Sequence, residues 1–189
     1  PIPYAAETAA IAHSLELIAE TGVRSHFCRL SCSRSVEMIN HAKAAGLKVT
    51  ADVAAHQLHL TEMDINSFNS MCHVLPPLRS QRDMEALRQG VKEGVIDAIC
   101  SDHQPHEPDA KQGPFPSTEP GISGLETLLP LALRLVSEGV MPLFYFKVLS
   151  GGGVLPVVWV MLGTFAVYLA VHAVRMQQEE RLRLSAPGW

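Results

Sequence analysis

Short apolar runs alternate with amphipathic helical stretches through residues 1–142, and this alternation limits the chain to very few folds. A first helix is expected over 5–20, with Ile11, Leu15 and Ile18 on one face and Thr21-Gly22 ending it. A strand fits 25–30. A second helix fits 34–45, with Ser33 as its N-cap and Gly46 just past its end. A strand follows at 48–53, and a shorter one is expected at 72–75, before Pro76-Pro77. A helix over 81–93 leads to a strand at 96–100, and after a polar loop through Gly124 a last helix fits 125–138. Repeated strand–helix units imply parallel strands joined by right-handed crossovers. The count is about four strands, the C-terminal portion of an eight-stranded α/β barrel of the TIM type, which takes roughly 250 residues when complete. Half a barrel leaves two open sheet edges and a bare interior, so the isolated chain is expected to aggregate without a partner or detergent. A chain that starts in mid-pattern at Pro1 reads as part of a longer protein.

The composition changes at Leu143. No charged residue occurs from Val148 to Val174, and the run 154–174 is long enough to cross a bilayer core of roughly 30 Å. We read 143–189 as an apolar tail with a candidate single transmembrane helix at 154–174; the competing reading is a buried core helix. Arg175, Arg181 and Arg183 follow the run and Lys147 precedes it, a bias that would place the C-terminus in the cytosol and the α/β part outside. That placement suits an anchored protein poorly if the α/β part is cytoplasmic. A frameshift, a fusion or a gene-prediction error is the favoured origin of the tail, and a real membrane anchor is the alternative. The net charge of −4 implies no general attraction to nucleic acid. The four cysteines, Cys28, Cys32, Cys72 and Cys100, form no CxxC pair and read as reduced thiols.

The chemistry concentrates after the strand at 96–100. Ser101-Asp102-His103-Gln104-Pro105-His106 puts a carboxylate and two imidazoles at a strand's C-terminal end, where α/β barrels carry their reactive groups. With three further segments, it resembles the dihydroorotases, the cyclic amidohydrolases of pyrimidine synthesis. Those segments are Ser25-His26-Phe27-Cys28-Arg29-Leu30-Ser31, the stretch from Val49 to Glu62 containing Ala54-Ala55-His56-Gln57-Leu58, and Pro76-Pro77-Leu78-Arg79-Ser80; Gly121-Ile122-Ser123-Gly124-Leu125-Glu126-Thr127 completes the last. The resemblance covers about residues 1–142. It implies a metal-dependent barrel, zinc in the family, in which the metal lowers the pKa of its water and polarises the amide carbonyl. It also implies that Asp102 is a metal ligand and proton acceptor, that His106 contacts a substrate carboxylate, and that Pro120 and Gly121 supply backbone contacts from the active-site loop.

The same resemblance exposes departures. Arg29 stands where the family has a metal-binding histidine before Leu-Ser, and a guanidinium cannot ligate zinc. Gln57 stands at the second histidine of the family's TPHHL, and Leu75 where an asparagine precedes Pro-Pro. The family's HxH pair and lysine would lie upstream of Pro1. One family ligand, Asp102, remains, and a loop-capping role for it is the plainer alternative. Arg29 and Gln57 together resemble the non-catalytic dihydroorotase-like chains that associate with aspartate carbamoyltransferase. The expectation is therefore an inactive, cytoplasmic scaffold that binds no zinc, supports aspartate carbamoyltransferase assembly and belongs to an oligomeric parent protein. The alternatives are an active zinc dihydroorotase using His26, His56 and Asp102, or a membrane-tethered protein whose functional element is 154–174. His103 is expected to be a packed loop residue and His59 to lie on the rim.

Overall fold

The computed structural model describes residues 2–141. They form a parallel three-stranded sheet, order β1-β2-β3, with β2 central. Helix α1 spans Tyr4–Thr21, and Gly22, at φ +66°, closes it by donating its N–H to Ile18. Strand β1 is Ser25–Phe27, α2 is Ser33–Ala44 and β2 is Val49–Ala54. Helix α3, Gln81–Glu93, is capped by the Ser80 hydroxyl accepting the Asp83 N–H at 3.3 Å; β3 is Ala98–Cys100 and α4 is Leu128–Ser137.

The sheet has two unlike faces. Along β2, Val49, Ala51 and Val53 are buried, whereas Thr50 is exposed and Asp52 partly so, the period-two alternation of a half-covered strand. The buried side packs under the helices. Ile18, Ala42 and Val49 form one cluster with Leu15, Phe27 and Leu47 around it. Helices α2 and α3 approach closely at Gly90, where a Cβ would meet Val36 Cγ1 at 2.9 Å. Asp97 ties β3 to β2: its carboxylate accepts the Ala51 N–H and the Lys43 ammonium, at 2.8 and 2.7 Å.

Several boundaries differ from the expectation, each for a local reason. Strand β1 stops at Phe27 because Arg29 turns into the left-handed region, φ +58°. Ser33 is the first residue of α2 rather than its cap; the cap is Cys32, and the Ser33 N–H is taken by Asp83 Oδ1 of α3 at 2.9 Å. No strand forms at 72–75. That stretch holds the end of the short 3-10 helix Ser70–Cys72 and a cis Leu75–Pro76 bond. Strand β3 starts two residues late because the Val95 and Ile96 N–H groups both turn back to Gly90 O. Helix α4 starts at Leu128, since the Gly124 and Leu125 N–H groups go to His103 Nδ1. The sheet thus has three strands among the described residues, not four. None of the described helices is long and apolar enough to cross a membrane, and the candidate span 154–174 lies outside the described residues.

Candidate active site

Three strand ends build the site. The turn after β1 carries Arg29, the 3-10 turn after β2 (Ala55–Leu58) carries His56 and Gln57, and the loop after β3 carries Asp102. Arg29 and Asp102 both hold left-handed backbone, at φ +58° and +43°. For side chains with a Cβ this conformation costs energy, and it concentrates where a site dictates geometry. Arg29 Nη1 donates to Asp102 Oδ1 at 3.0 Å. The Asp102 side chain is 9% exposed and that of Arg29 38%, so the carboxylate is nearly sealed while the guanidinium still meets water. The Arg29 backbone N–H is fixed separately, donating to Asp52 Oδ1 at 2.7 Å.

His56 is buried, and neither ring nitrogen has a hydrogen-bond partner among the described residues. Burial holds its imidazole below the usual histidine range; the Asp102 carboxylate pulls the other way and the Arg29 charge reinforces the depression. His56 is thus a neutral ring in the field of the Arg29–Asp102 pair. Gln57, also buried, turns elsewhere: its amide donates to the carbonyls of Pro76 and Pro77, at 2.8 and 3.4 Å. Of the two neighbours it is His56 that senses the ion pair, while Gln57 braces the proline turn.

His106, Pro120 and Gly121 come together in the loop beyond β3. His106 Nε2 donates to Pro120 O at 3.1 Å. A carboxylate could then be met only by an Nδ1 proton, that is, by the imidazolium form. Gly121, at φ +153°, lies so close to Gln104 that a Cβ would meet its carbonyl oxygen at 2.4 Å. Lys111, unremarked in the sequence, secures this loop by donating to the carbonyls of Gly121 and Glu119, at 2.6 and 2.7 Å. His103 is exposed rather than packed, and braces the loop by accepting two backbone N–H groups. His59 bridges to Leu131 O, and burial lowers its pKa.

His26 does not join Asp102. Its ring pairs with Thr50 Oγ1 and Asp52 Oδ2, at 2.7 and 2.9 Å. Among the described residues, His26, His56 and Asp102 do not bring their ligand atoms within reach of one ion. Asp52, adjoining both His26 and Arg29, was missed by sequence reading; its only signal was sharing the polar face of β2 with Thr50.

No family model matches the chain. Its folded segment is nonetheless that of a metal-dependent cyclic amidohydrolase barrel. An L-hydantoinase (dihydropyrimidinase) from Arthrobacter aurescens superposes with a TM-score of 0.71 at 30% identity, covering 76% of this chain and 33% of that one. A dihydroorotase-like protein of Pseudomonas aeruginosa is 54% identical over 142 residues, 75% of this chain and 34% of that protein. A dihydroorotase of Syntrophotalea carbinolica is 43% identical over 142 residues, 75% of this chain and 33% of that protein. The chain belongs to the dihydroorotase family over this stretch, and spans about a third of the length of the curated relatives it matches.

The residues present do not fit the family's metal. Asp102 is engaged by a guanidinium rather than free for an ion, and beside it stands one neutral imidazole, His56. Among the described residues, these strand ends offer an ion two donors next to a fixed positive charge.

Proposed function

We propose that this chain is a dihydroorotase-fold segment in pyrimidine synthesis that has lost the hydrolysis and serves as a scaffold for aspartate carbamoyltransferase assembly. The Arg29–Asp102 ion pair carries this reading. The guanidinium neutralises the carboxylate that would otherwise attract a cation, and so keeps the strand ends charge-balanced with no ion. With Asp102 held this way, neither it nor His56 holds an ion that would polarise an amide carbonyl or activate water. The scaffold survives because its helix-covered core shares no residue with that pair.

The test uses the full-length protein. Metal content and ring opening of dihydroorotate are measured together with co-elution of aspartate carbamoyltransferase on a sizing column. The expected result is no turnover, with the two proteins in one peak. Stoichiometric zinc with turnover would reject the inactive reading, and separate elution would reject the scaffold role. An active protein would also lose its rate in Asp102→Ala. A cytoplasmic place suits the proposed partner; alkaline carbonate extraction of membranes tests whether 154–174 anchors the chain instead, retention in the pellet favouring the anchor.

A further inference from the structure

We propose that His26, Cys28 and Asp52 form a binding site for a zinc-class divalent cation on the polar face of the sheet, separate from the Arg29–Asp102 pair. The site goes beyond the scaffold reading and does not depend on it. One ligand atom from each of the three residues lies within 4.8 Å of the others. An imidazole nitrogen, a thiolate sulfur and a carboxylate oxygen are zinc's own donor set, and three protein donors leave a fourth position open.

The sheet builds this grouping. His26 pairs in register with Thr50 in the parallel β1–β2 ladder, and Asp52 lies two residues further along the same face. Cys28 lies two residues beyond His26, just past the end of β1. The surroundings orient each donor. His26 Nδ1 lies 2.7 Å from Thr50 Oγ1, which can accept the Nδ1 proton and leave the Nε2 lone pair for an ion. Asp52 Oδ1 is occupied by the Arg29 N–H at 2.7 Å and the Cys100 thiol at 3.6 Å, leaving Oδ2 on the His26 side. Cys100 is not among the three grouped donors; its thiol donates to Asp52 Oδ1 instead. Cys28, by contrast, is an exposed free thiol.

Without an ion, a proton bridges His26 Nε2 and Asp52 Oδ2, which are 2.9 Å apart. The cation replaces that proton, and the Thr50 hydroxyl rotates from donating to Nδ1 to accepting from it. The bridging proton ends on His26 Nδ1 and the Cys28 thiol proton leaves to solvent, so affinity rises with pH.

Cobalt(II) is the probe, titrated into the full-length protein and displaced by zinc. One cobalt per chain is expected, with a thiolate-to-cobalt charge-transfer band. Cys28→Ser should abolish that band, and His26→Ala or Asp52→Asn should weaken affinity by at least about 100-fold, more than the loss of an outer-shell partner. Thr50→Val should keep the band and cost about 10–100-fold, the usual range for such a partner. Asp102→Asn should leave band and affinity unchanged, and circular dichroism confirms that each variant is folded. A band surviving in Cys28→Ser, affinity unchanged in folded His26→Ala, or no band at all with cobalt in excess would overturn the site. Loss of binding in Asp102→Asn would overturn it too, by assigning the ion to the family's position. Activity is not the readout, so a failed titration leaves the scaffold proposal standing.

Discussion

The two faces of the sheet obey different rules. The helix-covered face is apolar and closed: Ile39, Ala51, Val53, Leu87 and Ile96 are fully or almost fully buried. The other face, with the loops at its C-terminal edge, is a polar network running His26–Asp52–Arg29–Asp102 through hydrogen bonds of 2.7 to 3.0 Å. The first face holds the fold by excluded water, and any set of well-packed apolar residues would do. The second holds charge, its members joined one to the next by hydrogen bonds. A chain can therefore place the Arg29–Asp102 pair at this edge without disturbing the packing beneath. Fold and chemistry here are separable because they sit on opposite sides of the same strands.

The largest effect should come from the closed face. Ile39→Ala, at a fully buried position of α2, should destabilise the protein by about 2–5 kcal/mol in urea denaturation of the full-length protein. A loss below about 1 kcal/mol would mean the helix layer is loosely packed, and the contrast between the faces would fail.

A smaller loss tests the join between helices on that same side. Asp83, near the start of α3, accepts the Tyr4 hydroxyl at 3.0 Å and the Ser33 N–H at 2.9 Å. Burial pushes its pKa up, but the hydrogen bonds from Ser33, Ser80 and Tyr4 outweigh that and hold the carboxyl below its ordinary value of 3.8. The folded pKa is depressed, so the stabilisation is fully present above the unfolded value and fades as pH falls through the folded one. Asp83→Ala should cost about 1–3 kcal/mol at neutral pH. The gap from the natural protein should narrow as the pH drops below 3.8. A gap that stays constant with pH would show that packing, not the charge, is lost.

Legibility followed the same division. Helix α3 was expected at 81–93 and is Gln81–Glu93, because its amphipathic pattern and its bounding Ser80 and Gly94 agree. Strand β2 was expected one residue early at each end, at 48–53 for Val49–Ala54. The polar edge was harder to read. Arginine has no preference for left-handed backbone, so nothing in the sequence foretold that Arg29 would end β1. Resemblance put Gln57 at the metal position, but the 3-10 turn Ala55–Leu58 breaks the two-residue alternation, and it is His56 that senses the ion pair while Gln57 turns to the prolines. Asp102, His106, Pro120 and Gly121 were all named from resemblance. The structure joins His106 to Pro120 and pairs Asp102 with Arg29. That pairing needs the fold, because the two residues lie 73 positions apart.

The smallest effect belongs to Arg29, where two terms oppose and can be separated. Arg29→Ala removes the ion pair and keeps a Cβ in left-handed backbone. Arg29→Gly removes the same pair but relieves the backbone at φ +58°. The pair should contribute no more than about 1 kcal/mol, since the guanidinium is 38% exposed and water screens it. The left-handed conformation costs a residue with a Cβ about 1–2 kcal/mol. Arg29→Gly should therefore be more stable than Arg29→Ala by about 1 kcal/mol, and within a few tenths of the natural protein. Equal stability of the two variants would mean the backbone is not held left-handed at this turn. Losses of about 3 kcal/mol or more in both would mean Asp102 behaves as a sealed charge whose partner cannot be spared, and the polar edge would then hold the fold as firmly as the core does.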